Sequence, residues 1–167
     1  MKPHDAVWLP ILTVVVMGQS LGSAPIAKAD NKRLNDGVVA NVYTVQHNAG
    51  CTNDVKINPQ LQLAAQWHTD DVLANRFLDG DVGSDGSTPQ QRASAAGYRG
   101  SVAETVAINP ALAINNLEVI NQWYNNPAYL AIMRNCAYTQ LGVWSENSLD
   151  RSALVAVYGA PADRTSR

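Results

Sequence analysis

The sequence predicts an α/β domain of the α+β kind, with helices packed on a small, mainly antiparallel sheet. Three observations carry this. Apolar residues recur every three or four positions through the first two-thirds of the chain, in segments opened by Asn-Pro or Thr-Pro pairs. The period then changes: residues 139–145 and 152–158 are rich in Val, Leu, Trp and Tyr. Helices first and strands last make a layered domain. The third observation is size: 167 residues at 46% hydrophobic supply one ordinary core and too little for two.

The first 29 residues read as a secretory signal peptide. Lys2 and His4 give a weakly basic start, residues 6–17 are nearly all apolar, and Ala27-Lys28-Ala29 fits a small-x-small cleavage site before Asp30. The apolar run is too short to span a bilayer as a helix. Pro10 and Asp5 interrupt the pattern, and an uncleaved anchor is the other reading. Residues 30–160 form the expected domain, and 161–167 a polar tail. Neither charge sign dominates at a net −2 and no basic run occurs, so nucleic acid is not an expected partner. In an exported chain the two cysteines, Cys51 and Cys136, most simply form one disulfide.

A first helix is predicted from Asn35, with Val38, Val42 and Val45 on one stripe and Gly50 as its end. Residues 51–57 form a polar loop. Asn58-Pro59 opens a second helix, Asn as N-cap and Pro at the first helical position. Leu61, Ala64, Ala65, His68 and Val72 make its apolar stripe, Leu73 and Phe77 widen it, and Asp79-Gly80 ends it. A turn-rich loop follows. Thr88-Pro89-Gln90-Gln91 reads as a capping box that opens a short helix, which Gly97 ends. After the apolar stretch around Glu104, Asn109-Pro110 opens a helix burying Ala113, Leu117, Ile120 and Tyr124. Asn126-Pro127 starts one more, to about Met133. The two β segments then form a hairpin across a loop at 146–151.

Glu104 is the leading site candidate, because a carboxylate set among apolar neighbours must be bonded, paired or protonated. A structural carboxylate bonded to nearby backbone amides is the competing reading. His68 lies on an apolar stripe and reads as a core histidine; His47 sits at a helix end, near solvent. Two histidines in the mature part do not make a zinc site, which wants three or four imidazole or thiolate ligands. Asp79, Asp81 and Asp85 miss the EF-hand pattern, with Gly83 at the fifth position and Gln90 at the twelfth. They read as turn aspartates. No Gly-x-Ser-x-Gly elbow occurs.

An ordered set of short motifs resembles one family. It runs Ala64-Ala65-x-x-His68-x-Asp70, Gly83-Ser84-Asp85-Gly86-Ser87-Thr88-Pro89-x-x-Arg92, Ala96-Gly97-Tyr98, Ala103-Glu104-x-Val106-Ala107, Trp123-x-x-Asn126-Pro127 and Thr139-x-Leu141-Gly142-Val143. The set is similar to the CAP superfamily (cysteine-rich secretory proteins, antigen 5 and pathogenesis-related 1), in its bacterial SCP-like branch and its secreted mycobacterial members. The resemblance implies an α-β-α sandwich with a cleft of histidines and acids that holds a divalent metal in many members. Carried over, Glu104 takes the place of the cleft glutamate. Asp81 and Tyr129 stand where histidines usually stand, and Asn126 stands at the motif's Ser. Ala137-Tyr138-Thr139-Gln140 replaces a His-Tyr-Thr-Gln run. The expectation is a degenerate cleft, with no metal and no cofactor. The function expected is non-enzymatic binding of a lipid, a sterol-like or other apolar ligand, or of a host or cell-envelope protein, by a secreted monomer. Tyr124, Tyr129 and Tyr138 are candidates to line the cleft. The alternative is a weak metal-independent hydrolase using Glu104 and Asp81 as an acid–base pair.

Overall fold

The computed structural model describes residues 26–110 and 114–162. The element order is α1 (Ile26–Asn48), β1 (Lys56–Ile57), α2 (Pro59–Ala74), α3 (Pro89–Ala95), β2 (Gly100–Asn109), α4 (Asn116–Tyr124), α5 (Pro127–Met133), β3 (Gln140–Asn147) and β4 (Ser152–Pro161). The apolar run at 6–17, Ala113 and the end of the tail at 163–167 lie outside the described residues.

The sheet order is β1-β3-β4-β2. Only the two-residue β1 is parallel to its neighbour; β3 and β2 flank β4 antiparallel. β4 is therefore central, and its side chains alternate between two cores, as strand geometry requires. Leu154, Ala156 and Tyr158 meet Val38 and Val42 of α1, Val119 and Trp123 of α4 and Met133 of α5. Ala153, Val155 and Val157 meet Leu61, Ala64, Ala65 and Val72 of α2 and Ala93 of α3. Two helical layers on a mixed sheet make the predicted α-β-α sandwich.

Local sequence signals set most of the boundaries. The Asn58 side chain accepts from the Gln60 and Leu61 amides, with Pro59 in the first turn. Thr88 and Gln91 close a reciprocal capping box, and Asn126 caps α5 through Ala128 and Tyr129. Gly97 takes φ +90° after α3, a conformation that side chains resist. Gly142 lets α2 lie directly on β3: a Cβ there would fall inside the Leu61 carbonyl carbon and the Gln62 nitrogen. The Cys51–Cys136 disulfide ties the end of α1 to the segment after α5, across a separation of 85 residues.

Three boundaries differ from expectation. α1 begins at Ile26, nine residues ahead of Asn35, so Ala27, Lys28 and Ala29 lie in a helix. α2 ends at Ala74, because the Asn75 backbone and side chain both bond back to the Asp71 carbonyl. Phe77 is consequently fully exposed instead of widening the stripe. Asn109 opens no helix. It is the last residue of β2, paired with Ser152, and Asn115 caps α4 through the Glu118 amide. That later start turns Val119 and Trp123 inward and leaves Leu117 and Tyr124 exposed.

Candidate functional site

Glu104 faces the α2–α3 layer from the edge strand β2, and its side chain is completely buried. His68, also completely buried, projects from the apolar stripe of α2 and brings Nδ1 to 2.5 Å from Glu104 Oε1. Arg92 reaches in from α3: its Nη2 donates to the same oxygen at 2.9 Å and lies 2.9 Å from His68 Nδ1. The rest of the guanidinium holds the preceding loop. Nη2 donates to the Asp81 carbonyl at 2.6 Å, and Nη1 to the Ser87 carbonyl and hydroxyl at 2.7 and 3.1 Å. A buried carboxylate requires compensation of this kind. The compensation comes from side chains, not from the backbone amides that the structural reading invoked. His68 is a buried core histidine as expected, with Glu104 as its partner.

The loop between α2 and α3 is fixed from below by Asp71. Its carboxylate accepts from the Ser84 amide at 2.7 Å, the Ser84 hydroxyl at 2.6 Å and the Asn75 amide at 2.6 Å. Burial alone would raise the Asp71 carboxyl. The bonds from Ser84 and Asn75, with His68 nearby, outweigh burial and hold it below the ordinary aspartate range. Asp85 accepts from the Ser87 amide at 2.8 Å, the turn role expected of it. Trp67, Asp71, Ser84, Ser87, Gln91 and Arg92 line a groove of about 610 Å³ between α2 and α3. Trp67 is half-exposed there.

Of the other carried-over residues, Tyr129 reaches the edge of β2, beside Trp123. Trp123 Nε1 donates to the Val106 carbonyl at 3.0 Å, and the Val106 backbone also bonds the Tyr129 hydroxyl. Two ring side chains thus cover a strand edge that would otherwise be open to pairing. Burial raises the Tyr129 phenol, the Val106 bond works against it, and the charges of Asp81, Glu104 and Asp79 raise it further. Asp81 and Glu104 thus lie near enough to Tyr129 for their charges to act on its phenol. Their states differ: Asp81 is exposed and Glu104 is sealed. Asn126 is the N-cap of α5. Tyr129 and Tyr138 both pack on the core around Tyr158, while Tyr124 stands apart, accepting a hydrogen bond from Arg134 beside a separate hollow.

Residues 47–158 match the model of the cysteine-rich secretory protein (CAP) family. The chain belongs to the CAP family. No curated protein matches it. Among solved structures, this CAP chain is similar to an outer surface protein from Borrelia burgdorferi, at 18% identity and a TM-score of 0.67, covering 78% of this chain and 94% of that one. It is also similar to an extracellular SCP-domain protein from Bacillus anthracis, at 16% identity and TM-score 0.59, over 82% of this chain and 45% of that one. A cysteine-rich secretory protein from Staphylococcus aureus follows, at 13% and 0.59, over 78% and 39%. The chain thus spans less than half of the Bacillus and Staphylococcus proteins. At such identities the likeness establishes the fold.

The family's divalent metal does not fit this donor set. The carboxylate that would hold it already carries a guanidinium at 2.9 Å, which repels a second cation. Among the described residues no three His, Cys, Asp or Glu side chains cluster as ligands. Sequence reasoning missed the role of Arg92 in this arrangement. Its place in the Gly-Ser-Asp-Gly motif was visible, but its inward direction was not.

Proposed function

We propose that this chain is an exported, non-enzymatic CAP domain of the mycobacterial type. It presents the surface beside the covered edge of β2, around Tyr129 and Asp81, to an apolar ligand such as a lipid or sterol, or to a host or cell-envelope protein. One observation supports this most: Glu104 is sealed between His68 and Arg92. Oε1 is engaged by both partners and Oε2 is buried away from solvent, which counts against a free base or an open ligand position. For the same reason the hydrolase using Glu104 with Asp81 is the weaker reading. Export is supported by the apolar segment at 6–17 and by the disulfide, which suits an oxidising compartment.

The test is equilibrium binding of folded protein to a panel of lipids and sterols, repeated with Tyr129→Ala. Saturable binding that weakens at least tenfold in the variant is expected. A folded protein that binds nothing on the panel removes the apolar ligand and leaves the protein-partner arm.

A further inference from the structure

The groove of about 610 Å³ between α2 and α3 has the size of a small-molecule site. Three segments build it. α2 supplies Trp67 and, one turn on, Asp71; the loop supplies Ser84 to Ser87; α3 supplies Gln91 and, one turn on, Ala95. Trp67 is the most exposed tryptophan of the described residues, at 41%, whereas Trp123 is fully buried. A single exposed ring needs no explanation, but one that walls a groove beside fixed polar groups does.

The walls are held in place without a ligand. The Gly83 amide donates to the Ser87 carbonyl and the Gly86 amide to the Gly83 carbonyl, both at 2.9 Å. Gln91 Oε1 accepts from the Thr88 amide and hydroxyl at 2.9 and 3.1 Å. These bonds leave a mixed set for a ligand. Gln91 keeps its amide nitrogen as a donor, Asp85 keeps its second carboxylate oxygen, and the Ser84 hydroxyl keeps its lone pairs. No atom lies within 4 Å of where a Gly86 Cβ would stand, so a ligand meets bare backbone there.

The chemistry narrows the occupant. A metal ion finds no cluster of three ligating side chains among the described residues. An anion meets the Asp71 and Asp85 carboxylates, while the Arg92 guanidinium is already engaged by Glu104, Asp81 and Ser87. A quaternary ammonium is caged by several rings, and Trp67 is the one ring among the described residues lining the groove. A lipid chain would take water from Gln91, Ser84 and Asp85 and return no hydrogen bond. A sugar ring with equatorial hydroxyls meets every demand. Its face of C–H groups stacks on the electron-rich indole, and its hydroxyls donate and accept at once.

We propose that this groove binds a neutral pyranose, stacked on Trp67 and hydrogen-bonded to Gln91, Asp85 and Ser84. Neither Tyr129 nor Asp81 lines the groove, so the site stands whether or not the surface around those residues takes a ligand.

The experiment titrates the full, oxidised chain with cellotriose and with chitotriose, read by calorimetry and by acrylamide quenching of tryptophan. Saturable binding of at least one trimer is expected, with Trp67 shielded from the quencher. Trp67→Ala weakens binding by about tenfold or more, and Trp67→Phe, which keeps a ring, weakens it less. Gln91→Glu keeps the capping-box acceptor and removes the donor, for a loss of about threefold or more. Ala95→Met adds bulk at an exposed helix position, fills the groove and lowers affinity by about tenfold or more. Tyr129→Ala stays within about twofold of the parent. Retention on solid cellulose or chitin as well assigns the sugar to a polysaccharide; binding of the trimers alone assigns it to a free oligosaccharide. The proposal is overturned by a folded parent that binds neither trimer, or by a folded Trp67→Ala or Ala95→Met variant within twofold of it. It is equally overturned by tetramethylammonium or inorganic phosphate binding more tightly than both trimers, or by loss of binding in Tyr129→Ala.

Discussion

Replacing Arg92 with Met keeps most of the side chain's volume and removes the cation beside a sealed carboxylate. Glu104 is then left with His68 Nδ1 alone, and the Asp81 and Ser87 carbonyls each lose a donor. Breaking a buried pair from one side costs about 3–5 kcal/mol, because the remaining charge stays buried. The loop carbonyls turn to water and add little. That loss is a large part of an ordinary stability of roughly 5–15 kcal/mol. It appears in urea unfolding of the oxidised protein as a midpoint lower by about 2 M at a slope of roughly 2 kcal/mol/M. Arg92→Met combined with Glu104→Met removes both charges and is more stable than the single variant. A single variant within 1 kcal/mol of the parent refutes the reasoning. So does a double variant less stable than the single one.

Gly142→Ala forces α2 away from β3 and costs about 1–3 kcal/mol or more, read by thermal unfolding. Reducing Cys51–Cys136 costs about 2–5 kcal/mol, read by unfolding with and without reductant. The Asp71 carboxyl is depressed in the folded state, so its contribution is present above the ordinary aspartate value and is lost as pH falls through the folded one. Asp71→Asn therefore flattens the acid limb of stability below about pH 4. The Tyr98, Tyr129 and Tyr158 phenols are raised, all by burial first, so a spectrophotometric titration shows tyrosines ionising above the ordinary phenol range. Tyr129→Phe removes one of these and lessens the stability lost as pH rises past about 10.

What could be read from the sequence was local. Asn58-Pro59, the Thr88 capping box and Asn126-Pro127 announce helices because each cap is completed within four residues. The hairpin at the end of the chain announces itself by its period. Asn109-Pro110 carries the same signal and failed, because pairing with Ser152 on the central strand outweighed a cap. Glu104 could be recognised as buried from its neighbours alone. Its partners could not: His68 lies 36 residues away and looks like core, and Arg92 lies in a short helix whose inward face is set only by packing on α2. The site is a tertiary alignment of three elements, and no spacing in the chain encodes it.

The proposal that Glu104 holds the structure together and is not a catalytic base is put to the test by comparing the folded parent with folded Glu104→Gln on peptidoglycan, peptide and ester substrates. No product from the parent above that from the variant is expected. Turnover that requires the Glu104 carboxylate would contradict it.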